Sequence, residues 1–246
     1  MKSTQTGHRW AAMMVAAMLM MLAAAIASPA QTYKVLYSFS GGSGSQPVAG
    51  LVRDAGGNLY GTTSSGGLRW GTVFKLNKSG KETLLYRFAG GVDGANPFGA
   101  LLLDSAGTLY GTTAAGGLGY GTVFKVDQSG HETVLFSFTG GMDGASPYDG
   151  LVRDEAGNLY GTTLYGGSGT GCYPLSTIGC GTVFELDVAG REAVLYSFSG
   201  GSDGGLPYAG LIRDGAGSLY GTTQPGGRHL VRYVRLRNGF QTGCQR

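Results

Sequence analysis

The sequence predicts an all-β fold built from four copies of one antiparallel unit, on three observations. The first is a stretch, Gly57-Asn-Leu-Tyr-Gly-Thr-Thr63, that returns at 107–113, 157–163 and 217–223. Its tyrosines, Tyr60, Tyr110, Tyr160 and Tyr220, are spaced by 50, 50 and 60 residues, a period that marks tandem supersecondary units. The second is glycine, 48 of 246 residues against the usual ~7%. These glycines recur at fixed places between Leu, Val, Tyr and Phe clusters, where they punctuate turns. The third is spacing: the apolar clusters lie too close for a helical crossover, so neighbouring strands must run antiparallel. Low charge (13%) and 42% hydrophobic content fit an ordered domain.

Taken in order, the chain opens with Lys2 and Arg9, then an apolar run from Ala11 to Ile26, then Ser28-Pro29-Ala30. A charged start, a short apolar core and a small-residue exit describe a secretory signal peptide over 1–30. An uncleaved anchor is the competing reading, but a spanning helix usually needs ~20 apolar residues. Cleavage is expected after Ala30, with Ala27 as second choice. The mature chain is then secreted or cell-surface, does not span the membrane, and acts as a monomer.

Residues 31–227 form the repeat domain. Tyr33-Lys-Val-Leu-Tyr-Ser-Phe39 recurs in kind at 84–88, 134–138 and 194–198; branched and aromatic residues bounded by glycine make a strand. A Gly-Gly turn follows, with Asp93, Asp143 and Asp203 before the next Gly in three of four copies. A short apolar strand comes next, as in Gly50-Leu-Val-Arg53, closed by Asp54, Asp104, Asp154 or Asp214 and then a Gly. Asp followed shortly by Gly is hairpin chemistry: the carboxylate caps the turn and Gly takes positive φ. The Leu-Tyr-Gly-Thr-Thr strand and a Gly-Thr-Val-Phe strand (71–76, 121–126, 181–186) complete the unit.

Four short antiparallel strands in ~50 residues match the blade of a β-propeller. A β-solenoid is the runner-up, though its coils usually repeat at a shorter period and lack hairpins. Blades are expected at about 49–88, 99–138, 149–198 and 209–237. Residues 33–39 would complete the last and close the ring; an open or truncated ring is the alternative.

The third unit carries an insertion between Gly167 and Gly181 with Cys172, Tyr173, Pro174 and Cys180. In an exported chain a local Cys172–Cys180 disulfide is the natural reading, leaving Cys244 free. The loop it closes is expected on the surface, with no core of its own. The repeat body holds eleven cations against fifteen acids, a charge of about −4 over 31–227, which argues against nucleic-acid binding. Residues 228–246 reverse this with five arginines and no acid. One reading is a basic patch for an anionic partner such as lipopolysaccharide. The other is a shifted reading frame: CTG GTA CGG TAC, for Leu230 to Tyr233, reads one base later towards Trp-Tyr-Gly-Thr. On that reading a longer parent carries more blades and a surface anchor.

The unit L-V-R-D-x-x-G-N-L-Y-G-T-T-x-x-G-G-x-x-x-G-T-V-F-K-L resembles the tandem repeat called GloVer. Its D-x-x-G-N-L-Y-G-T core also resembles the blade motif of two-component-regulator and NHL-type propellers, where Trp often replaces Tyr. The resemblance covers about residues 33–227. It implies an exported, surface-associated protein with a choice of C-terminal anchor, a feature not recognisable here, and it carries over no catalytic residues.

Chemistry is sparse. Asp93, Asp143 and Asp203 could gather on one face as Ca²⁺ ligands, but Asp-Gly is foremost a turn pair; no other cofactor is indicated. Tyr60, Tyr110, Tyr160 and Tyr220 are expected to pack between blades. Phe98, Tyr148 and Tyr208, each after a proline, are the best ligand-contact candidates, with Tyr173 in the insertion. The histidines His8, His131 and His229 are scattered, so no triad or metal cluster can be built from them. The reading is a non-catalytic exported module that binds a protein or glycan or mediates surface attachment. The alternative is a propeller enzyme acting on polysaccharide as a lyase or glycoside hydrolase, with Asp149, Asp154 and Glu155 as its carboxylates.

Overall fold

The computed structural model describes residues 32–172, 175–224 and 232–236. The signal segment, Tyr173, Pro174, His229, Cys244 and most of the basic tail lie outside them. Among the described residues there are fifteen strands and no helix. Blade 1 comprises β1 (Val52–Arg53), β2 (Leu59–Thr63), β3 (Thr72–Leu76) and β4 (Glu82–Arg87). Blade 2 comprises β5 (Leu102–Leu103), β6 (Leu109–Thr113), β7 (Thr122–Val126) and β8 (Glu132–Ser137). Blade 3 comprises β9 (Val152–Arg153), β10 (Leu159–Thr163), β11 (Thr182–Leu186) and β12 (Glu192–Ser197). Blade 4, among the described residues, has three strands, β13 (Ile212–Arg213), β14 (Leu219–Thr223) and β15 (Arg232–Leu236). Each sheet is an antiparallel meander in chain order, and none closes on itself. All four lie in the compact unit of residues 37–246, as the blades of an open propeller.

The hairpins form as the Asp/Gly spacing requires. The Asp54 carboxylate accepts the Asn58 backbone N–H at 2.8 Å and the Tyr60 hydroxyl at 3.0 Å, while Gly57 turns at φ +82°. The side-chain hydrogen bond from Asn58 is the main reason the Asp54 carboxyl falls to about 2. Asp104, Asp154 and Asp214 accept Tyr110, Tyr160 and Tyr220 in the same way. The repeat tyrosines are thus turn latches as well as packing groups.

The core lies at the seams between blades. At the first seam, Val73 of blade 1 and Phe88 pack with Leu101, Leu109, Phe124 and Val126 of blade 2. The Phe88 ring meets Phe124 edge-on at 5.1 Å between centroids, and both are fully buried. Phe138 meets Phe184 likewise at 5.2 Å at the second seam. Burying each such ring stabilises by roughly 2–3 kcal/mol. The Phe of each third strand lies opposite the Gly of Leu-Tyr-Gly-Thr-Thr: Gly111 with Phe124, Gly161 with Phe184. A Cβ on Gly111 would fall 2.6 Å from Phe124 Cζ. The next residue but one supplies a buried hydroxyl pair: Thr63–Thr72, Thr113–Thr122 and Thr163–Thr182, each at 2.8 Å.

Residues 33–39 form no strand, contrary to the sequence expectation of a closing strand. The aromatic pair at their end is used on blade 1 instead. Phe39 sits edge-on to Phe74 at 4.9 Å, and the Tyr37 and Ser43 hydroxyls bond at 3.0 Å. Residues 37–39 therefore repeat what 86–88 and 136–138 do at the later seams.

Blade 4 keeps the register but not the chemistry. Arg232 stands opposite Thr223 where a Thr stands elsewhere, and Val234 stands opposite Gly221 where a Phe stands. Thr223 Oγ1 is correspondingly buried without a hydrogen-bond partner. A small void remains beside Gly221, lined by Phe198, Leu211 and Leu219. An orphaned hydroxyl and a missing ring cost about 1–3 kcal/mol each. The double substitution Arg232→Thr/Val234→Phe is expected to raise the thermal midpoint by several degrees. Calorimetry of the full chain checks this.

Each of the first three blades also buries part of one glutamate. Glu82, Glu132 and Glu192 open β4, β8 and β12, and the Oε1 of each is buried without a hydrogen-bond partner. Burial, then the charge of Asp93 from the preceding linker, lifts Glu132 from the ordinary 4.5 to about 7. Burial and Asp143 lift Glu192 equally, and burial raises Glu82. A carboxyl raised in the fold stabilises fully below its unfolded value, and that contribution is lost as pH rises through the folded value. Stability is therefore expected to fall between about pH 4.5 and 7. Thermal melts across this range should show the fall, and Glu132→Gln/Glu192→Gln should flatten it.

Candidate functional site

Topology brings two sets of loops to one face. With neighbouring strands antiparallel, the loops joining β2–β3, β6–β7 and β10–β11 lie at the same end as the linkers from each blade to the next. The Asp-Gly hairpins lie at the other end. The ten-residue insertion of the third unit is on the loop face.

The linkers build the site. Gln46, Asn96, Ser146 and Leu206 all adopt positive φ (+51° to +59°), a conformation that costs non-glycine residues about 1–2 kcal/mol. The turn seats Pro97, Pro147 and Pro207 against Gly71, Gly121 and Gly181, where a Cβ would fall within 2.7 Å of the proline ring. The residue after each proline then stands beside its counterpart in the next linker. Phe98 and Tyr148 stack at 4.4 Å with planes 8° apart, and Tyr148 meets Tyr208 edge-on at 5.4 Å. The three ligand-contact candidates thus form one continuous row. Phe98 and Tyr148 are half-buried, and Tyr208 is 43% exposed. Val48 occupies the same place in the first linker, so the row has no fourth ring. Tyr173 lies outside the described residues.

Two further residues join the row. Tyr165, at the end of the Leu164-Tyr165 step of blade 3, packs with Tyr148 against the third seam. Its phenol is raised first by burial and then by Tyr208 and Tyr148. Burial likewise raises Tyr148, so both keep their O–H protons well above neutral pH. Asp149 follows Tyr148. Its two oxygens accept the backbone N–H groups of Gly150 and Gly210, both at 2.6 Å, the second from the next linker. Its carbonyl accepts the Thr112 hydroxyl at 2.9 Å. Asp149 is thus a clasp between consecutive blades. In register the other units carry Ser65 and Ala115 for Tyr165, and Ala49, Gly99 and Ala209 for Asp149. That column-by-column departure from the repeat is the signal that finds them.

The other carboxylates are not brought to the site. Asp93 accepts Ala89 N–H at 2.7 Å and the Tyr86 hydroxyl at 3.0 Å; Asp143 accepts Thr139 N–H at 2.7 Å; Asp203 accepts Ser199 N–H at 2.8 Å. Each closes its own linker turn. Among the described residues no group of three or more His, Cys, Asp or Glu could hold a metal ion. Asp154 and Glu155 follow β9 at the hairpin end, and Asp149 precedes β9 at the loop end. The carboxylates flanking a glycosidic bond must stand ~5–9.5 Å apart on one site, and this trio does not share a face.

The Cys172–Cys180 disulfide is formed, but not in a loop without a core. Both cysteines are buried, at 3% and 0% exposure, among Leu164, Val183, Phe198 and Leu206. Cys180 takes the place of Trp70 and Tyr120: its carbonyl accepts Leu206 N–H at 2.7 Å, as theirs accept Asn96 and Ser146 N–H at 2.8 Å. The insertion is therefore nailed into the third seam. For the clasp, Asp149→Ala removes two charge-assisted hydrogen bonds and is expected to cost about 3–5 kcal/mol. Denaturant unfolding should show that loss, with Glu155→Ala near zero as the control.

Comparison with known proteins agrees with this architecture. Among solved structures the chain is similar to a luciferin-regenerating enzyme, with a TM-score of 0.50 at 15% identity, covering 79% of this chain and 62% of that one. An α-L-arabinofuranosidase from Clostridium thermocellum aligns with a TM-score of 0.45 at 14% identity, covering 80% of this chain and 70% of that one. The chain spans less than two thirds of the length of the luciferin-regenerating enzyme, and about half that of a gluconolactonase-like structure it also matches. At these identities the likeness is one of fold. No curated protein matches by sequence. The Gloeobacter/Verrucomicrobia repeat matches residues 25–231, the whole repeat body with a few residues on either side, and the chain belongs to that family.

Proposed function

We propose that the chain is an exported, non-catalytic binding module that takes a neutral glycan on its loop face, across Phe98, Tyr148, Tyr165 and Tyr208. The observation that carries this reading is the aromatic row itself: three rings from three successive linkers in unbroken contact. Flat rings offer apolar faces to the C–H faces of a pyranose, and phenol hydroxyls donate to and accept from its hydroxyls. The row is uncharged near neutral pH, and the nearby carboxylate of Asp149 is already engaged by two backbone donors. An anionic ligand would therefore find no counter-charge there. Binding without chemistry is supported by the occupation of Asp93, Asp143, Asp149 and Asp203 in turns and clasps. Export rests on the charged, apolar and small-residue pattern of residues 1–30.

The test is calorimetric titration of the full mature chain with fragments of neutral glucan, xylan and mannan. At least one is expected to bind, and Tyr148→Ala and Tyr208→Ala should each weaken it about tenfold, near 1.4 kcal/mol. The glycans should be recovered uncut. Cleavage products, abolished by Asp149→Asn, would replace this reading with a polysaccharide-active enzyme.

A further inference from the structure

The insertion of blade 3 forms an open hollow of about 360 Å³, within the range of small-ligand sites. Its walls are Ser168, Thr170, Ser176, Thr177, Ile178 and the glycines between them. Ser176 is buried, its N–H bonded to the Cys172 carbonyl at 3.0 Å and its Oγ accepting Ile178 N–H at 3.3 Å. Thr170 and Thr177 are exposed at the rim. From Ser168 to Cys180 there is no Lys, Arg, His, Asp or Glu. Such a lining offers hydroxyls and backbone groups but no charge and a single apolar side chain. It suits a polyhydroxylated neutral ligand and neither a lipid nor an anion.

The hollow is also fixed and placed. The buried cystine anchors its base, and Gly171 N–H bonds to the Ser199 carbonyl at 2.9 Å across the third seam. Gly181 N–H bonds to the Gly166 carbonyl at 3.0 Å, folding the end of the insertion back on the residue after Tyr165. Gly167, a wall of the hollow, is two residues from Tyr165, a chain distance of at most about 7 Å.

We infer that this hollow is a second saccharide subsite, which takes the sugar residues extending past Tyr165 from the aromatic row. The inference rests on the reading of the row as a neutral-glycan site. The row holds a short stretch of the ligand, and the hollow adds affinity for longer ones. Repeat symmetry explains why only blade 3 has it: the equivalent loops of blades 1 and 2 are ten residues shorter.

The experiment titrates the full mature chain with di- and hexasaccharides of β-1,4-glucan, β-1,4-xylan and β-1,4-mannan. The wild type is expected to bind a hexasaccharide about tenfold more tightly than its disaccharide. Thr170→Trp and Thr177→Trp, both at exposed positions, fill the hollow. Each should abolish that length advantage while leaving disaccharide affinity unchanged. Tyr148→Ala should weaken both lengths. Circular dichroism confirms the fold of each variant. A length advantage that survives both tryptophan variants would overturn the subsite and leave the row intact. Failure of every saccharide to bind the wild type would overturn both.

Discussion

A phenylalanine ring lying on a glycine holds this protein together. In each of the first three blades the third strand places its Phe opposite the Gly of Leu-Tyr-Gly-Thr-Thr. The ring has nowhere to go unless that position lacks a Cβ. Once seated, it offers its other side to a Phe from the preceding unit: Phe39 on Phe74, Phe88 on Phe124, Phe138 on Phe184. A single contact therefore fixes both the inside of a blade and its attachment to the one before. Beside it the two buried Thr hydroxyls of each blade satisfy one another. Where Val234 and Arg232 replace the Phe and Thr in blade 4, a void and an orphaned hydroxyl appear together.

The loop face follows from the seam. Because each linker must cross from the Phe that ends one blade (Phe88, Phe138, Phe198) to the first strand of the next, it turns through the same left-handed residue and the same proline. The positions after the prolines then stack from blade to blade whatever their side chains. Evolution of a site needs only the choice of residues there: Val48, Phe98, Tyr148 and Tyr208 along the row, with Tyr165 and Asp149 added in blade 3. The scaffold is repeated and the site is not.

Much of this was legible in the sequence, for a physical reason: whatever recurs at a fixed period reports a shared backbone geometry. The strands and the Asp-capped hairpins could be read that way, while the pairing of Cys172 with Cys180 was read from their closeness in an exported chain. The proximity of Phe98, Tyr148 and Tyr208 was half legible, since equivalent positions of neighbouring blades lie side by side. Tyr165 and the clasp of Asp149 were not, because their partners come from other linkers and no period links them. The burial of the cystine was missed because an insertion suggests a free loop. Only the register shows Cys180 standing where Trp70 and Tyr120 stand. Residues 33–39 misled in the opposite sense: they have a strand's composition, but composition does not supply a partner edge.

The central claim, that a Phe seated on a Gly holds blade and seam, is tested most directly by comparing two identical substitutions. Gly111→Ala drives a methyl to within 2.6 Å of Phe124 and 3.0 Å of Leu101, whereas at Gly221, where Val234 replaces the Phe in register, the near atom among the described residues is Leu211, at 2.9 Å. Equilibrium unfolding of the two variants should show a large loss for Gly111→Ala, about 3 kcal/mol, and a much smaller one for Gly221→Ala. Equal losses at the two sites would contradict the account.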